Sequence, residues 1–187
     1  MTVTIDNAPI RELIDAEKLQ ARIAEMGAEL TDAYRGLDPV LVCILKGSMP
    51  FFAALGQAMT IPVRYDYLAV ASYHGGTKSS GVVKFLADLS TDIFGRHVVL
   101  VEDIVDTGRT MAYLLENLKT RQPASLEVVT LLDKPSRREV DVPIGYRGFE
   151  IPDEFVIGFG LDYAQYYRNL PYIGVLEQIP EVPKPGA

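Results

Sequence analysis

The sequence predicts an α/β fold in which helices flank a central, mostly parallel sheet. The first observation is a set of apolar, largely β-branched runs, such as residues 40–45 and 98–101, which lack the polar alternation of a strand with one wet face. The second is that segments with helical periodicity lie between these runs, and strands that alternate with helices form parallel sheets. A chain of 187 residues, 48% of them hydrophobic, can form one globular domain with a sizeable core.

Local signals define the elements in chain order. The first helix begins after Asp15, a suitable N-cap, and stops before Gly36. Its apolar positions at helical spacing are Leu19, Ile23, Met26 and Leu30. Pro50 suits the first turn of a second helix over residues 49–59. Strands are predicted at residues 40–45, 63–70, 82–86, 98–101 and 126–132, with shorter strands at 155–159 and 172–176.

The most informative segment is residues 98–111, in which a buried strand runs into a short polar turn. Apolar residues then recur at helical spacing at Met111, Leu114, Leu115 and Leu118. The turn at 106–110 therefore lies between the carboxyl end of a strand and the amino end of a helix, where α/β sheets bind ligands. Unpaired N–H groups and the helix dipole favour an anion such as phosphate there. Gly108 allows close approach, and the hydroxyls of Thr107 and Thr110 add donors.

Three carboxylates lie beside this turn, those of Glu102, Asp103 and Asp106. Their negative charges would repel a phosphate unless a cation or hydrogen-bond donors lie between them. Ribose hydroxyls and Mg²⁺ are therefore their expected partners. The alternative is an N-cap aspartate with two solvated acids at a strand end. The order of strand, acid pair, Thr-Gly turn and helix favours the ligand site.

Two other loops indicate a binding site only when they are considered together with that turn. Lys46 and Gly47 join a strand to a helix and could hold a second anion, although such a turn alone is more typical of an exposed loop. Residues 71–81 are polar and glycine-rich, and alone they predict a connection between two hairpin strands.

The last third of the chain offers two more candidates. Lys134 follows the strand at 126–132 and is either a solvated lysine or an inward ammonium that donates to an acceptor oxygen of a ligand. Residues 149–163 are typical of a half-buried strand with aromatic core residues.

Composition narrows the function classes. The net charge of −7 and the pI of about 4.9 argue against a nucleic-acid or anionic-membrane surface. No apolar run approaches the length of about 18 residues that a membrane span needs, and residues 1–7 do not resemble a signal peptide, so we expect a cytoplasmic protein. Cys43 is the single cysteine and is expected to be an inert core residue.

Residues 102–110, Glu-Asp-Ile-Val-Asp-Thr-Gly-Arg-Thr, resemble the phosphoribosyl-pyrophosphate-binding motif of the type I phosphoribosyltransferases, and most closely that of the hypoxanthine-guanine phosphoribosyltransferases. The resemblance implies a single domain over residues 1–187. Its core would span about 37–145, and a small hood would form from the N-terminal segment and about 146–187. It also implies Mg²⁺-dependent purine salvage, in which the 5-phosphoribosyl group of phosphoribosyl pyrophosphate passes to hypoxanthine or guanine and gives IMP or GMP plus pyrophosphate.

The resemblance further implies a role for each motif, with Asp106 as the general base. The ribose and 5′-phosphate site would comprise Glu102, Asp103, Asp106, Thr107, Gly108, Arg109 and Thr110. The pyrophosphate site would comprise Lys46, Gly47, Ser72, Tyr73 and Arg168, with a cis Leu45–Lys46 peptide bond and Ser72-Tyr73 in a lid. The purine site would comprise Lys134, Phe155, Val156 and Asp162. The Mg²⁺ ligands would be Glu102, Asp103 and Asp162.

Two alternatives remain open on the sequence. Related folds serve as regulators that sense phosphoribosyl pyrophosphate and bind nucleic acid, but the acidic charge and the lack of a basic stretch beyond residues 134–138 argue against this function. The same chemistry on xanthine or a pyrimidine is closer, and Asp106, where uracil-type regulators tend to carry tyrosine, favours a purine. The family generally forms dimers or tetramers, so we expect a homodimer or homotetramer.

Overall fold

A computed structural model describes residues 9–72 and 83–178, and for residues 72 and 83 it describes the backbone alone. The elements in chain order are β1 (Ile10–Ile14), α1 (Ala16–Ala33), β2 (Val40–Leu45), α2 (Met49–Ala58), β3 (Arg64–Ser72), β4 (Val83–Ala87), β5 (His97–Val105), α3 (Arg109–Lys119), β6 (Ser125–Asp133), a 3₁₀ turn (Pro135–Arg137), β7 (Tyr146–Glu150), β8 (Val156–Ile157) and β9 (Ile173–Leu176).

The larger sheet has six strands in the order β4-β3-β2-β5-β6-β7. All its neighbouring strands run parallel except β3 and β4, which confirms the predicted, mostly parallel α/β sheet. Its side chains alternate between two cores. Val99 and Val101 of β5 belong to the core that contains buried residues of α1 and α2. Val98 and Leu100 belong to the core that contains the buried face of α3, so β5 is covered on both sides, as its continuous apolar run predicts.

The helices begin and pack as their sequences predict. The Asp15 side chain accepts a hydrogen bond from the Lys18 backbone N–H at 2.8 Å and caps α1. The predicted apolar face of α1 is fully buried. Gly27 lets α1 approach α2 closely, because a Cβ there would lie 2.5 Å from the Cβ of Ala58.

A second sheet has three antiparallel strands in the order β1-β9-β8. It joins the N-terminal segment to the C-terminal part of the chain, where the resemblance implied a hood. The predicted strand at 155–159 shortens to β8 because the chain turns at Gly158 and Phe159, both of which have positive φ. A Cβ on Gly158 would lie 2.1 Å from the Tyr172 carbonyl oxygen.

Two strands were not predicted. Strand β1 is short and carries charged residues, so its pattern is weak. Strand β7 pairs in parallel with β6, and the larger sheet therefore continues through Glu150. None of the helices within residues 9–72 and 83–178 is both long and apolar enough to cross a membrane.

Candidate active site

The turn after β5 has the predicted strand-turn-helix geometry. Gly108 is the N-cap of α3 with a φ of 83°, and a Cβ there would lie 2.3 Å from the Val140 carbonyl oxygen. Glycine is therefore required on both conformational and steric grounds. A cavity of about 90 Å³ opens here and is lined by Glu102, Ile104, Val105, Asp106, Thr107, Gly108, Thr110 and Met111.

The loop that contains Glu139 and Val140 forms hydrogen bonds to this turn. The Thr107 carbonyl accepts hydrogen bonds from the backbone N–H groups of Glu139 (3.0 Å) and Val140 (3.1 Å). The Arg109 guanidinium pairs with the Glu139 carboxylate, with 2.6 Å between Nε and Oε2. The Arg109 side chain is thus already paired, while the first N–H groups of α3 have no acceptor within the helix. Backbone N–H groups are what the turn offers an anion.

Glu102 and Asp103 form a half-buried acid pair near the end of β5. Burial, with the Asp103 charge nearby, raises the pKa of Glu102 well above its usual range. Burial also raises the pKa of Asp103 to about 6, against the opposing effect of a hydrogen bond from the Ile104 N–H and of the Arg168 charge. The Oε2 atom of Glu102 is buried and has no hydrogen-bond partner among the described residues.

The turn after β2 reaches this acid pair through glycine. The Leu45–Lys46 peptide bond is cis, which confirms the prediction. A Cβ on Gly47 would lie 1.6 Å from Asp103 Oδ2, and a Cβ on Gly160 would lie 1.8 Å from the Gly47 carbonyl oxygen. The absence of side chains at these two positions therefore brings the turn after β2, the end of β5 and the segment after β8 together. Lys46 is exposed and has no ion pair within the described part of the chain.

Arg168 organises the segment after β8. Its Nη1 donates to the Gly160 carbonyl at 2.6 Å, and its Nη2 lies 2.6 Å from Asp162 Oδ1. The other oxygen of Asp162 accepts the Gln165 backbone N–H at 2.7 Å. Both charges act on Asp103, because Arg168 lowers and Asp162 raises its pKa. One predicted pyrophosphate-binding residue, Arg168, and two predicted metal ligands, Asp103 and Asp162, thus lie in one electrostatic group.

The predicted purine residues lie around the entrance to β8. Lys134 is buried, and its ammonium donates to the Glu154 carbonyl at 2.6 Å. Phe155 is 44% exposed and contacts the Tyr163 ring edge to face, with 5.8 Å between the ring centroids. Val156 is buried in β8. An exposed aromatic face beside a directed ammonium is suited to a flat heterocycle with an acceptor oxygen.

Asp106 contacts two arginines that the sequence did not single out. Arg137 Nε lies 3.1 Å from Asp106 Oδ1, and Arg137 Nη1 also lies 3.4 Å from Asp153 Oδ1. Arg138 Nε donates to the Asp106 carbonyl oxygen at 3.0 Å. The sequence shows these arginines as part of a basic stretch, and no periodicity in it points to contacts with the turn after β5.

The arrangement fits a divalent cation shared with a substrate. Within residues 9–72 and 83–178, no three Asp, Glu, His or Cys side chains are grouped as a metal site. Glu102 Oε2 nonetheless lacks a partner, and the acid pair lies beside the cavity at the turn. Mg²⁺ is commonly held by one or two carboxylates together with substrate and water oxygens, which agrees with this donor set.

The structure brings together Gly47, Asp103, Asp162 and Arg168. Of the predicted ribose and phosphate residues, the cavity is lined by Glu102, Asp106, Thr107, Gly108 and Thr110, but not by Asp103 or Arg109. The purine residues form a neighbouring group around Glu154 and Tyr163. Tyr73 and the side chain of Ser72 lie outside the described residues, so the predicted lid stays a prediction.

Comparison with known proteins agrees with this geometry. Residues 10–164 match the model of the phosphoribosyl transferase domain family. The chain belongs to the phosphoribosyltransferase family. It is 49% identical over 174 residues to the hypoxanthine-guanine phosphoribosyltransferase of Streptococcus agalactiae, which covers 93% of this chain and 97% of that protein. It is 50% identical over 171 residues to the protein of the same name from Mycobacterium avium, with 88% and 84% covered.

Solved structures show the same phosphoribosyltransferase fold. The crystal structure of a hypoxanthine phosphoribosyltransferase from Staphylococcus aureus superposes with a TM-score of 0.89 at 45% identity, covering 95% of this chain and 96% of that one. A hypoxanthine-guanine phosphoribosyltransferase from Bacillus anthracis has a TM-score of 0.85 at 40% identity, covering 89% and 99%. Membership of the type I phosphoribosyltransferases, predicted from residues 102–110, is therefore confirmed.

Proposed function

We propose that this phosphoribosyltransferase transfers the 5-phosphoribosyl group from phosphoribosyl pyrophosphate to N9 of hypoxanthine or guanine, giving IMP or GMP and pyrophosphate. One observation carries the proposal. The lining of the cavity at the start of α3 combines the unpartnered, buried Oε2 atom of Glu102 with the amino terminus of that helix. A sugar phosphate presents hydroxyls and an anion in that order.

The 5′-phosphate binds the turn after β5. Backbone N–H groups at the start of α3 and the hydroxyls of Thr107 and Thr110 supply donors, and Gly108 removes a side chain from the approach. Arg109 contributes through its backbone N–H, since its guanidinium is bound to Glu139.

Glu102 and Asp103 bind the ribose hydroxyls, directly or through Mg²⁺. Their raised pKa values show that burial disfavours both charges, and a cation or hydroxyl donors would relieve this cost. Asp162 is the third proposed metal ligand, and it would exchange contact with Arg168 for contact with the ion. When bound, Mg²⁺ would neutralise charge on the pyrophosphate oxygens.

Pyrophosphate lies between the turn after β2 and Arg168. Lys46 is free of ion pairs among the described residues, and Gly47 leaves room against Asp103. Arg168 supplies a fork of donors suited to phosphate oxygens. These groups stabilise the charge that develops as the bond from C1′ to pyrophosphate breaks. Ser72 and Tyr73 are proposed to close over this site and exclude water.

The purine stacks on Phe155, and its 6-oxo group accepts a hydrogen bond from Lys134. The Val156 backbone and Asp162 then face the rest of the base. Because Lys134 is buried and cationic, it favours an oxo group over the amino group of adenine. As N9 forms its bond to C1′, Asp106 accepts the proton from N7.

The same proposal extends to assembly and location. We infer a cytoplasmic homo-oligomer without nucleic-acid or membrane partners, and this inference rests on the family resemblance and the net charge of −7.

A parallel assay tests the function. Phosphoribosyl pyrophosphate and Mg²⁺ are incubated with hypoxanthine, guanine, xanthine, adenine or uracil, and products are separated by chromatography. We expect IMP and GMP to form rapidly and a chelator to abolish both. Turnover only with xanthine or uracil would show that the acceptor base is not hypoxanthine or guanine. Tight binding of phosphoribosyl pyrophosphate without any turnover would favour a regulator that senses this compound.

A further inference from the structure

Arg138 joins the ends of two central strands at the candidate phosphate site. Its Nε donates to the Asp106 carbonyl at 3.0 Å, and its Nη2 donates to the Val105 carbonyl at 3.3 Å. Val105 and Asp133 are partners in the parallel register of β5 and β6. The guanidinium therefore lies where both strands end and the turn begins.

Asp133 fixes the Arg138 guanidinium in place. The Asp133 side chain is 1% exposed and its Oδ1 pairs with Arg138 Nη2, while the Arg138 side chain is 15% exposed. Asp133 Oδ2 lies 2.8 Å from Nε of Arg147, whose side chain is 46% exposed. One buried carboxylate thus holds two arginines, of which Arg138 alone hydrogen-bonds to the carbonyls of Val105 and Asp106.

These bonds set the direction of backbone donors. In a trans peptide the C=O and N–H groups point in opposite directions. Anchoring the Asp106 carbonyl therefore fixes the N–H of Thr107. The Val105 carbonyl also accepts the Lys134 backbone N–H at 3.0 Å, so its direction is set by the pairing of β5 with β6 as well as by Arg138. Arg138 also packs against the turn, because a Cβ on Gly108 would lie 2.9 Å from its Cδ.

We propose that Arg138 is a positioning residue for the 5′-phosphate, acting through the backbone of the turn after β5. The inference rests on the proposed function for the identity of the ligand. A neutral donor could not replace it, because the same guanidinium must balance the buried Asp133 charge and reach two carbonyls. Arg138 therefore acts on binding of the phosphoribosyl substrate, since its hydrogen bonds go to the turn and to Asp133 and not to the proposed purine contacts Lys134, Phe155 and Val156.

The chain offers a matched control, because Arg147 pairs with the same carboxylate and makes no hydrogen bond to the turn. Arg138→Lys and Arg147→Lys are compared with the wild type in steady-state kinetics and in calorimetric titration with ribose 5-phosphate. Thermal denaturation is measured on each to verify folding. Arg138→Gln is made alongside as a second variant that removes the charge.

We expect Arg138→Lys to raise KM for phosphoribosyl pyrophosphate and Kd for ribose 5-phosphate about 10-fold, the effect of losing one hydrogen bond to a charged group. KM for hypoxanthine should stay within about 2-fold, as should all constants of Arg147→Lys. Equal effects of the two lysine variants would overturn the proposal. Failure of both Arg138 variants to fold would also overturn it, since the guanidinium would then serve the fold. A wild-type chain that makes no IMP would contradict the proposed function, while the ribose 5-phosphate titration would still test Arg138.

Discussion

Adjacent strands β5 and β6 both carry acids near the same edge of the sheet, but the acids have opposite surroundings. Asp133 at the end of β6 is 1% exposed and is paired with Arg138 and Arg147. Glu102 and Asp103 near the end of β5 face no cation within ion-pair distance among the described residues, and burial raises both pKa values.

The difference separates an acid whose charge is balanced within the protein from the acids that we propose bind the ribose hydroxyls or Mg²⁺. A buried charge is costly unless it is paired, so Asp133 is balanced within the protein. The cost at Glu102 and Asp103 remains in the free protein and is offset only when a cation or hydroxyl donors bind. An unpartnered Glu102 oxygen that lines a cavity is therefore the feature of this sheet edge on which the proposed ligand site rests.

The largest effect is expected at the paired acid. Asp133→Asn leaves two arginines without their carboxylate and should lower the free energy of unfolding by about 3 kcal/mol, or roughly 6–12 °C in Tm. Thermal denaturation of the ligand-free protein measures this change. An Asp133→Asn variant that is more stable than the wild type would show that the Asp133 charge is not balanced within the protein, and the contrast between β5 and β6 would be wrong.

The next effect concerns Asp106, which contacts Arg137 and is the proposed base. Asp106→Asn should lower kcat by roughly 10²-fold or more with modest change in KM for hypoxanthine, because proton acceptance is lost. Asp153→Asn is the control, since Asp153 contacts the same arginine. Near-normal turnover of Asp106→Asn would remove Asp106 as the base.

Two phenylalanines show a similar contrast between an exposed and a buried side chain. Phe155 is 44% exposed at the proposed purine site, whereas Phe51 is fully buried in the core. Phe155→Ala should weaken IMP binding by about 1–3 kcal/mol in calorimetry with little change in Tm. Phe51→Leu should lower Tm and leave IMP affinity intact. The reverse pattern would show that Phe155 serves the fold.

The smallest expected effect is a gain in stability on substitution of Asp103, whereas substitution of Asp133 lowers stability. Because the pKa of Asp103 is raised from 3.8 to about 6, the folded state retains its proton longer, and this group's contribution to stability falls as pH rises through that window. Asp103→Asn should therefore stabilise the ligand-free protein at pH 7 by about 1 kcal/mol, or roughly 2–4 °C, and abolish most activity.

The pH dependence supplies the control for that variant. The gain in Tm of Asp103→Asn over the wild type should be larger at pH 7 than at pH 4.5, where the wild-type carboxyl is still protonated in the folded state. A gain that is equal at both pH values would mean that Asp103 carries no burial penalty.

The elements that could be predicted are those whose signals follow one another along the chain. The turn after β5 was predicted in detail because a buried run, an acid pair, a Thr-Gly turn and a helical period follow one another in the chain. Strand β7 was missed because its five residues carry little alternation, and it is held by pairing with β6. Strand β8 was overestimated because Gly158 and Phe159 turn the chain sooner than its apolar run indicates.

The sequence by itself determined the fold class, the family and the turns that carry the chemistry, because these depend on neighbours along the chain. Only the tertiary structure decided that Gly47 meets Asp103 and that Asp133 holds Arg138 and Arg147. It alone showed Arg138 bound to the backbone of the turn after β5. Such contacts join segments that no periodicity connects, and which buried charges stay unpaired depends on the packing of the whole domain.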